Sequence, residues 1–147
     1  LILYSSLPYV GGSPWGNVNG LAVEGHERIQ EQQKLFTKLF KSFVELVDEV
    51  YDERTLIASE LSKSCNYWRW PMVRKFLIER FMSVHHFDGC MLGVLGNNNQ
   101  PRKKSWTIAG NFEELSKLDS YRCDDSHEHD QSRGKALINL LQTIPSS

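Results

Sequence analysis

Short apolar runs alternate with amphipathic stretches along this chain, and this alternation restricts its fold more than any other feature. Residues 27–51 carry apolar side chains at three- and four-residue steps, which predicts a long helix, and residues 71–81 predict a second one. Strands that alternate with helices predict an α/β fold with a mainly parallel sheet flanked by helices. Four short apolar runs favour buried strands: residues 1–7, 55–61, 83–88 and 105–109.

The chain becomes more polar after residue 118. Asn111, followed three residues later by Glu114, predicts the N-terminal cap of one short helix. A last short helix is predicted at 135–141, after a polar segment without a helix or strand pattern. We therefore expect an α/β domain over residues 1–118 and a C-terminal extension over residues 119–147.

The composition favours a compact intracellular domain. The chain has 147 residues and a net charge of −1, so its overall charge does not indicate a histone-like or membrane-surface protein. Its apolar runs fall short of the roughly 18 to 20 residues that span a membrane. Three cysteines without the dense spacing of a secreted disulfide framework favour a reducing compartment. We expect a protein of the nucleus or cytoplasm, without a membrane partner.

Ligands of a parallel sheet bind beyond the carboxyl ends of its strands, which directs attention to the loops there. The loop after the first run contains Gly12 and Ser13, and the second run ends near the carboxylate of Glu60. Before the fourth run, a short basic stretch offers cations to nucleic-acid phosphates. That stretch consists of Arg102, Lys103 and Lys104.

Several short motifs follow the predicted elements in order. A strand leads into Pro8-Tyr9-Val10-Gly11-Gly12-Ser13, a later strand ends near Glu60, and Gly93 precedes the run Gln100-Pro101-Arg102-Lys103-Lys104. This order resembles the second half of cytosine-5 DNA methyltransferases over most of the chain, and it is similar to a divergent group from protist genomes and retroelements. The resemblance implies that this chain is one part of a Rossmann-like methyltransferase fold. It also implies that the missing N-terminal half precedes Leu1 on the same polypeptide.

The resemblance also implies that an ancestor of this chain catalysed methyl transfer and that the chain has lost this activity. In that family a cysteine thiolate adds to carbon 6 of cytosine while a strand-end Glu hydrogen-bonds the ring, so that carbon 5 attacks the methyl group of S-adenosylmethionine. Glu60 matches the carboxylate, but Tyr9 stands at the position of the nucleophile. A phenol with a pKa of about 10 replaces a thiol poorly. We expect an inactive chain whose ancestor bound S-adenosylmethionine and acted on DNA.

The C-terminal extension contains a possible zinc site. Cys123, His127 and His129 are close in sequence and offer the thiolate and imidazole donors that Zn²⁺ prefers. A fourth ligand is either a cysteine from elsewhere in the fold or one of the carboxylates near the motif. The candidates are Cys90, Cys65, Asp124, Asp125, Glu128 and Asp130.

Two other functions stay open at this point. The chain is alternatively a non-catalytic nucleic-acid or protein interaction module of a mobile element, which uses a basic helix over residues 69–80 and the zinc segment. Glu60 and Asp88, each near a strand end, alternatively form the carboxylate pair of a metal-dependent nuclease if they lie close together. Glu60 also has a purely structural interpretation, as the partner of Arg74.

Two further motifs are interpreted structurally. Residues 67–70, Tyr-Trp-Arg-Trp, either stack on bases or pack onto the sheet, and we favour packing. His85 and His86 are adjacent in a predicted strand, so their side chains are expected on opposite faces and cannot share a site.

Overall fold

The computed structural model describes residues 1–8, 12 and 23–130 of the chain. Within them, a four-stranded sheet is flanked by helices, so the predicted α/β class is confirmed. The strands are β1 (Ile2–Ser5), β2 (Leu56–Ser62), β3 (Ser83–Asp88) and β4 (Ser105–Gly110). The α-helices are α1 (Val23–Val50) and α2 (Pro71–Glu79). Three 3-10 helices accompany them: Asn66–Arg69, Gly89–Leu92 and Glu113–Tyr121.

The sheet is mixed, and the expectation of a mainly parallel sheet is wrong. Its order is β1-β2-β4-β3, with β1 parallel to β2 and β4 antiparallel to both of its neighbours. The cause lies in the connections. Helix α1 carries the chain back between β1 and β2, whereas β3 reaches β4 through residues 89–104, which hold only one short 3-10 turn. Without a crossover helix, β4 returns antiparallel beside β3.

Helices α1 and α2 cover one face of the sheet, which we call the helix face. Ile57 and Leu61 of β2 are buried there among apolar side chains of both helices. Phe36 of α1 stacks on the fully buried Tyr67 with ring centroids 3.8 Å apart. Burying a Phe side chain contributes about 1.5–3 kcal/mol. Trp68 and Trp70 pack against the same core, which confirms that residues 67–70 pack onto the domain.

The 3-10 helix Glu113–Tyr121 covers the opposite face of the sheet. Ala58, Phe87 and Ile108 form a second, smaller core there with Leu115 of that helix. These side chains alternate with those of the helix face because successive residues of a strand point to opposite sides. His85 and His86 obey the same rule, since His85 contacts Asp119 of the 3-10 helix while His86 contacts Thr107 on the helix face.

Asn111 does not cap the 3-10 helix, so that prediction is wrong. The cap position is Phe112, which makes no side-chain capping hydrogen bond. The Asn111 side chain instead accepts the N–H of Ile57 at 2.7 Å and donates to the carbonyl of Thr55 at 2.9 Å. Asn111 directly follows Gly110, which pairs with β2, so its amide extends the ladder between β4 and β2.

The antiparallel course of β4 places its start beside the ends of β2 and β3. Ser62 pairs with Trp106 and Asp88 pairs with Ser105, so the start of β4 lies between the ends of β2 and β3. We call this side of the sheet the strand-end edge. The chain leaves β1, β2 and β3 at this edge and enters β4 there.

Two further expectations concern the C-terminal helix and membrane spans. The helix predicted at 135–141 lies outside the described residues. None of the described helices is both long enough and apolar enough to cross a membrane.

Candidate metal centre

Four metal-ligating side chains meet at the strand-end edge. The ligand atoms of Cys90, Cys123, His127 and His129 all lie within 4.8 Å of one another. Each of the four residues is half-buried. The structure thus brings together the three predicted ligands and selects Cys90 as the fourth. Cys65, the other cysteine considered, is buried in the core of the helix face.

The distances within the cluster fit a tetrahedral zinc ion. Cys123 Sγ lies 3.3 Å from His129 Nε2 and 3.8 Å from His127 Nε2. With Zn–S near 2.3 Å and Zn–N near 2.0 Å, tetrahedral ligand atoms lie roughly 3.3–3.8 Å apart. Even the widest pair needs to close by only about 1 Å. Two thiolates and two imidazoles form one of the sets that Zn²⁺ takes in structural sites.

The end of β3 positions both cysteines. Cys90 lies in the 3-10 helix that begins directly after Asp88. The Asp88 carboxylate accepts the backbone N–H of Cys123 at 2.7 Å through one oxygen and the hydroxyl of Ser105 through the other. One buried carboxylate therefore joins β3, β4 and the segment that carries the remaining ligands.

Further contacts hold residues 123–130 against the strand-end edge. Lys103 donates to Asp125 at 2.7 Å, and the N–H of Asp130 donates to the carbonyl of Pro101 at 2.8 Å. Asp125 adopts a left-handed backbone with φ of 60°. Its N–H donates to Cys123 Sγ at 3.3 Å.

The electrostatics of the cluster suit a cation. Burial and the neighbouring Cys123 thiol raise the pKa of Cys90 to about 11, because two thiolates so close together repel each other. A divalent cation between them reverses that effect. Burial also raises the pKa of Asp88, but hydrogen bonds from Ser105 and Cys123, with Lys103 nearby, more than offset it, and the net pKa is lowered.

Glu60 and Gly12 lie near the same edge but on opposite faces of the sheet. The Glu60 carboxylate accepts the hydroxyl of Tyr4 at 2.5 Å, away from the helices. Gly12 packs on the helix face, where a Cβ would come within 2.9 Å of the Tyr67 ring and 2.8 Å of Cys65 Sγ. The sheet thus separates the two. Tyr9 and Ser13, the other candidates of that loop, lie outside the described residues.

The other predicted site residues, the nuclease pair and the basic stretch 102–104, do not form a common site. Glu60 points away from the helix face while Asp88 shares that face with His86, so the nuclease pair is split by the sheet. Lys103 faces Asp125 near the metal cluster, whereas Lys104 lies over the Trp106 ring, 4.1 Å from its centroid. The backbone N–H of Arg102 donates to the carbonyl of Val94.

An open, basic groove runs along α1, which the sequence analysis missed. It has a volume of about 810 Å³. Lys34, Lys38 and Lys41 line it beside Trp70, together with polar side chains of the same helix. Their spacing of four and three residues places the three cations on one helix face, a signal that was readable in the sequence. Arg80, from the predicted basic helix, instead pairs with Asp48 and lies over the Phe76 ring.

Comparison with protein-family models, with curated proteins and with solved structures finds no match to this chain. The chemistry of the site is therefore inferred from its own residues.

Proposed function

We propose that this chain is a zinc-stabilised module that binds nucleic acid. The observation that carries the proposal is the convergence of Cys90, Cys123, His127 and His129 within 4.8 Å. Zinc at this point cross-links the end of β3 to the polar segment that follows the last 3-10 helix. That segment has few apolar side chains of its own, so ligation supplies the order that a core would otherwise give.

The ligand set favours a structural role for the metal over a catalytic one. Catalytic zinc sites keep three protein ligands and leave one position for water or substrate. Here four protein side chains are available, which fills a tetrahedral ion. No open position then remains at which a water could be activated.

Metal analysis tests this part directly. The purified chain is expected to hold one zinc per molecule and to lose it to a chelator with a drop in thermal stability. Cys123→Ser and His129→Ala are expected to purify without stoichiometric zinc. Cys65→Ala is the matched control because Cys65 is buried away from the cluster, and it should keep the metal. A folded wild-type chain that binds no zinc would reject the proposal.

The groove on α1 supports nucleic acid as the partner. Lys34, Lys38 and Lys41 are exposed, and Trp70, which packs against the core and is half-buried, lines the groove beside them. Cations in a row attract a phosphate backbone, while an aromatic ring stacks on an unpaired base. A single strand is therefore the preferred ligand over a duplex.

The salt dependence of binding distinguishes contacts with phosphates from nonspecific, salt-independent binding. A labelled single-stranded oligonucleotide is titrated with the zinc-loaded chain at several salt concentrations. Replacing Lys34, Lys38 and Lys41 by Gln is expected to reduce the log–log salt slope by about 2, since each single-strand phosphate contact contributes about 0.7. The control is a triple variant in which three exposed cations outside the groove are replaced in the same way: Arg54, Lys75 and Lys117. A slope that falls equally in both triple variants would contradict the groove assignment.

Descent from a cytosine-5 methyltransferase is a second candidate. One observation favours it: β1 and β2 are parallel neighbours joined by a helix, and Gly12 lies just beyond them. This proposal requires an N-terminal half that binds S-adenosylmethionine and a lost nucleophile at Tyr9. In a longer polypeptide with that half, Tyr9→Cys is expected to restore methyl transfer from S-adenosylmethionine to DNA, and Glu60→Gln to abolish it. Activity that is independent of Glu60 would reject this ancestry.

A further inference from the structure

A serine and a histidine of β3 and an aspartate of the 3-10 helix Glu113–Tyr121 form a hydrogen-bonded series on the sheet face opposite the helix face. Ser83 Oγ lies 3.0 Å from His85 Nε2, and His85 Nδ1 lies 2.9 Å from Asp119 Oδ2. The nucleophile-to-base and base-to-carboxylate contacts thus both have hydrogen-bond length and use opposite nitrogens of one imidazole.

The fold explains why these three side chains meet. Ser83 and His85 are two residues apart in β3, so their side chains share the face covered by the 3-10 helix Glu113–Tyr121. Leu115 anchors that helix in the small core, and Asp119 follows one turn later. His85 is 9% exposed while Ser83 is exposed, so the base is held rigidly and the hydroxyl stays accessible.

Asp119 is fixed as an anion beside the imidazole. Its pKa is lowered, first by the hydrogen bond with His85 and further by the backbone N–H of His86 and by Arg122. A carboxylate that accepts from Nδ1–H leaves Nε2 free to accept a proton. The Ser83 hydroxyl also lies 3.3 Å from the carbonyl of Gly110, so only its hydrogen has to rotate to reach Nε2.

The edge position of β3 supplies a donor for an oxyanion. β3 pairs with β4 on one side only in the described sheet, so alternate N–H groups point outward. The N–H of Gly89, just past β3, donates to the carbonyl of Lys104 on the β4 side, so the N–H of His86, three positions earlier, points outward. By the two-residue repeat, the N–H of Val84 points outward as well, and Val84 directly follows Ser83. A backbone N–H next to the nucleophile can stabilise the developing negative charge of a tetrahedral intermediate.

We propose that Ser83, His85 and Asp119 form an acyl-transfer site that cleaves carboxylic esters. Ser83 Oγ attacks the ester carbonyl as its proton passes to His85 Nε2, and the N–H of Val84 receives the oxyanion. Collapse breaks the bond to the alcohol, which leaves with the proton from Nε2. Water then attacks the acyl-serine through the same base, releasing the acid and restoring the hydroxyl. Phe81, two residues earlier and 92% exposed, offers an apolar contact, so esters with an apolar group are preferred.

A fluorophosphonate probe tests the proposal on the wild-type chain. The probe is expected to label a single serine, and peptide mass spectrometry should place it at Ser83. This readout does not depend on whether a variant folds. Labelling elsewhere, or none after prolonged exposure, would overturn the proposal.

Hydrolysis of p-nitrophenyl butyrate adds a second readout. Ser83→Ala is expected to abolish turnover above the uncatalysed rate, and Asp119→Asn to lower kcat at least tenfold because it disturbs the imidazole tautomer. Ser120→Ala, an exposed serine on the same 3-10 helix, is the control and should keep full activity. Equal turnover by wild type and Ser83→Ala would overturn the assignment. Zinc content should be unaltered in these variants, so this test is independent of the proposed module function.

Discussion

The Asp88 carboxylate accepts the backbone N–H of Cys123 at 2.7 Å across 35 positions of sequence. This contact fixes the segment that carries three of the candidate ligands to the end of β3, directly before the 3-10 helix that carries the fourth. Asp88 does not itself belong to the ligand cluster. It would act on a bound metal through the position of Cys123, as carboxylates around metal ligands commonly do.

Asp88→Asn is therefore expected to weaken zinc binding by about 10- to 100-fold, because the amide accepts one fewer hydrogen bond. Competition with a chromophoric chelator measures the affinity. The control is Asp124→Asn, since Asp124 is exposed and hydrogen-bonds to the neighbouring Ser126 rather than across the fold. Equal affinity of Asp88→Asn and wild type would show that Asp88 does not position the ligands.

The three cysteines are expected to differ in reactivity. Cys65 is 3% exposed in the core of the helix face, so a thiol reagent cannot reach its sulfur in the folded chain, whereas Cys90 and Cys123 are only half-buried. A thiol reagent should find no fast-reacting cysteine in the zinc-loaded chain. After chelation, Cys90 and Cys123 should react while Cys65 stays protected until unfolding. Modification of Cys65 at the same rate as the other two would contradict the packing of the core.

Two phenylalanines are expected to respond oppositely to truncation. Phe36 is 1% exposed and stacks on Tyr67, so Phe36→Ala should lower the free energy of unfolding by about 3–5 kcal/mol. Phe81 is exposed and has a φ of 52°, which favours glycine. Phe81→Gly should raise the free energy of unfolding by up to about 1 kcal/mol. Urea denaturation of both variants checks the pair, and a loss of stability in Phe81→Gly would argue against the strained turn.

Asn111→Ala is expected to lower the free energy of unfolding by about 1–3 kcal/mol, because it leaves the N–H of Ile57 and the carbonyl of Thr55 without their partner. Asn98→Ala serves as the control, since Asn98 is exposed and bonds only within its own turn. If both variants melt at the wild-type temperature, the amide does not extend the ladder between β2 and β4.

Local patterns predicted the elements of this fold well and their arrangement poorly. The bounds of β3 were predicted residue for residue, and α1 and α2 were found within a few residues, because apolar periodicity reports which face of an element is buried. The antiparallel course of β4 was missed, since strand order depends on the connection between residues 88 and 105. Asn111 was misjudged because a tertiary partner displaced the local cap.

Part of the candidate metal centre was predictable because a local sequence pattern contains three of its four residues. Cys123, His127 and His129 are close in sequence, so their chemistry was visible as a motif. The choice of Cys90 over Cys65 depends on which strand end faces the polar segment, and only the fold decides that. The hydrogen-bonded series of Ser83, His85 and Asp119 could not be predicted from the sequence, because Asp119 lies 34 positions from His85 and belongs to no motif.

X-ray absorption at the zinc edge of the purified, zinc-loaded chain tests the central claim most directly. The account predicts a four-coordinate ion with two sulfur ligands near 2.3 Å and two nitrogen ligands near 2.0 Å. In Cys90→Ser one sulfur should be replaced by a lighter ligand. A first shell that contains a single sulfur in the wild-type chain, or that is unchanged in Cys90→Ser, would contradict it.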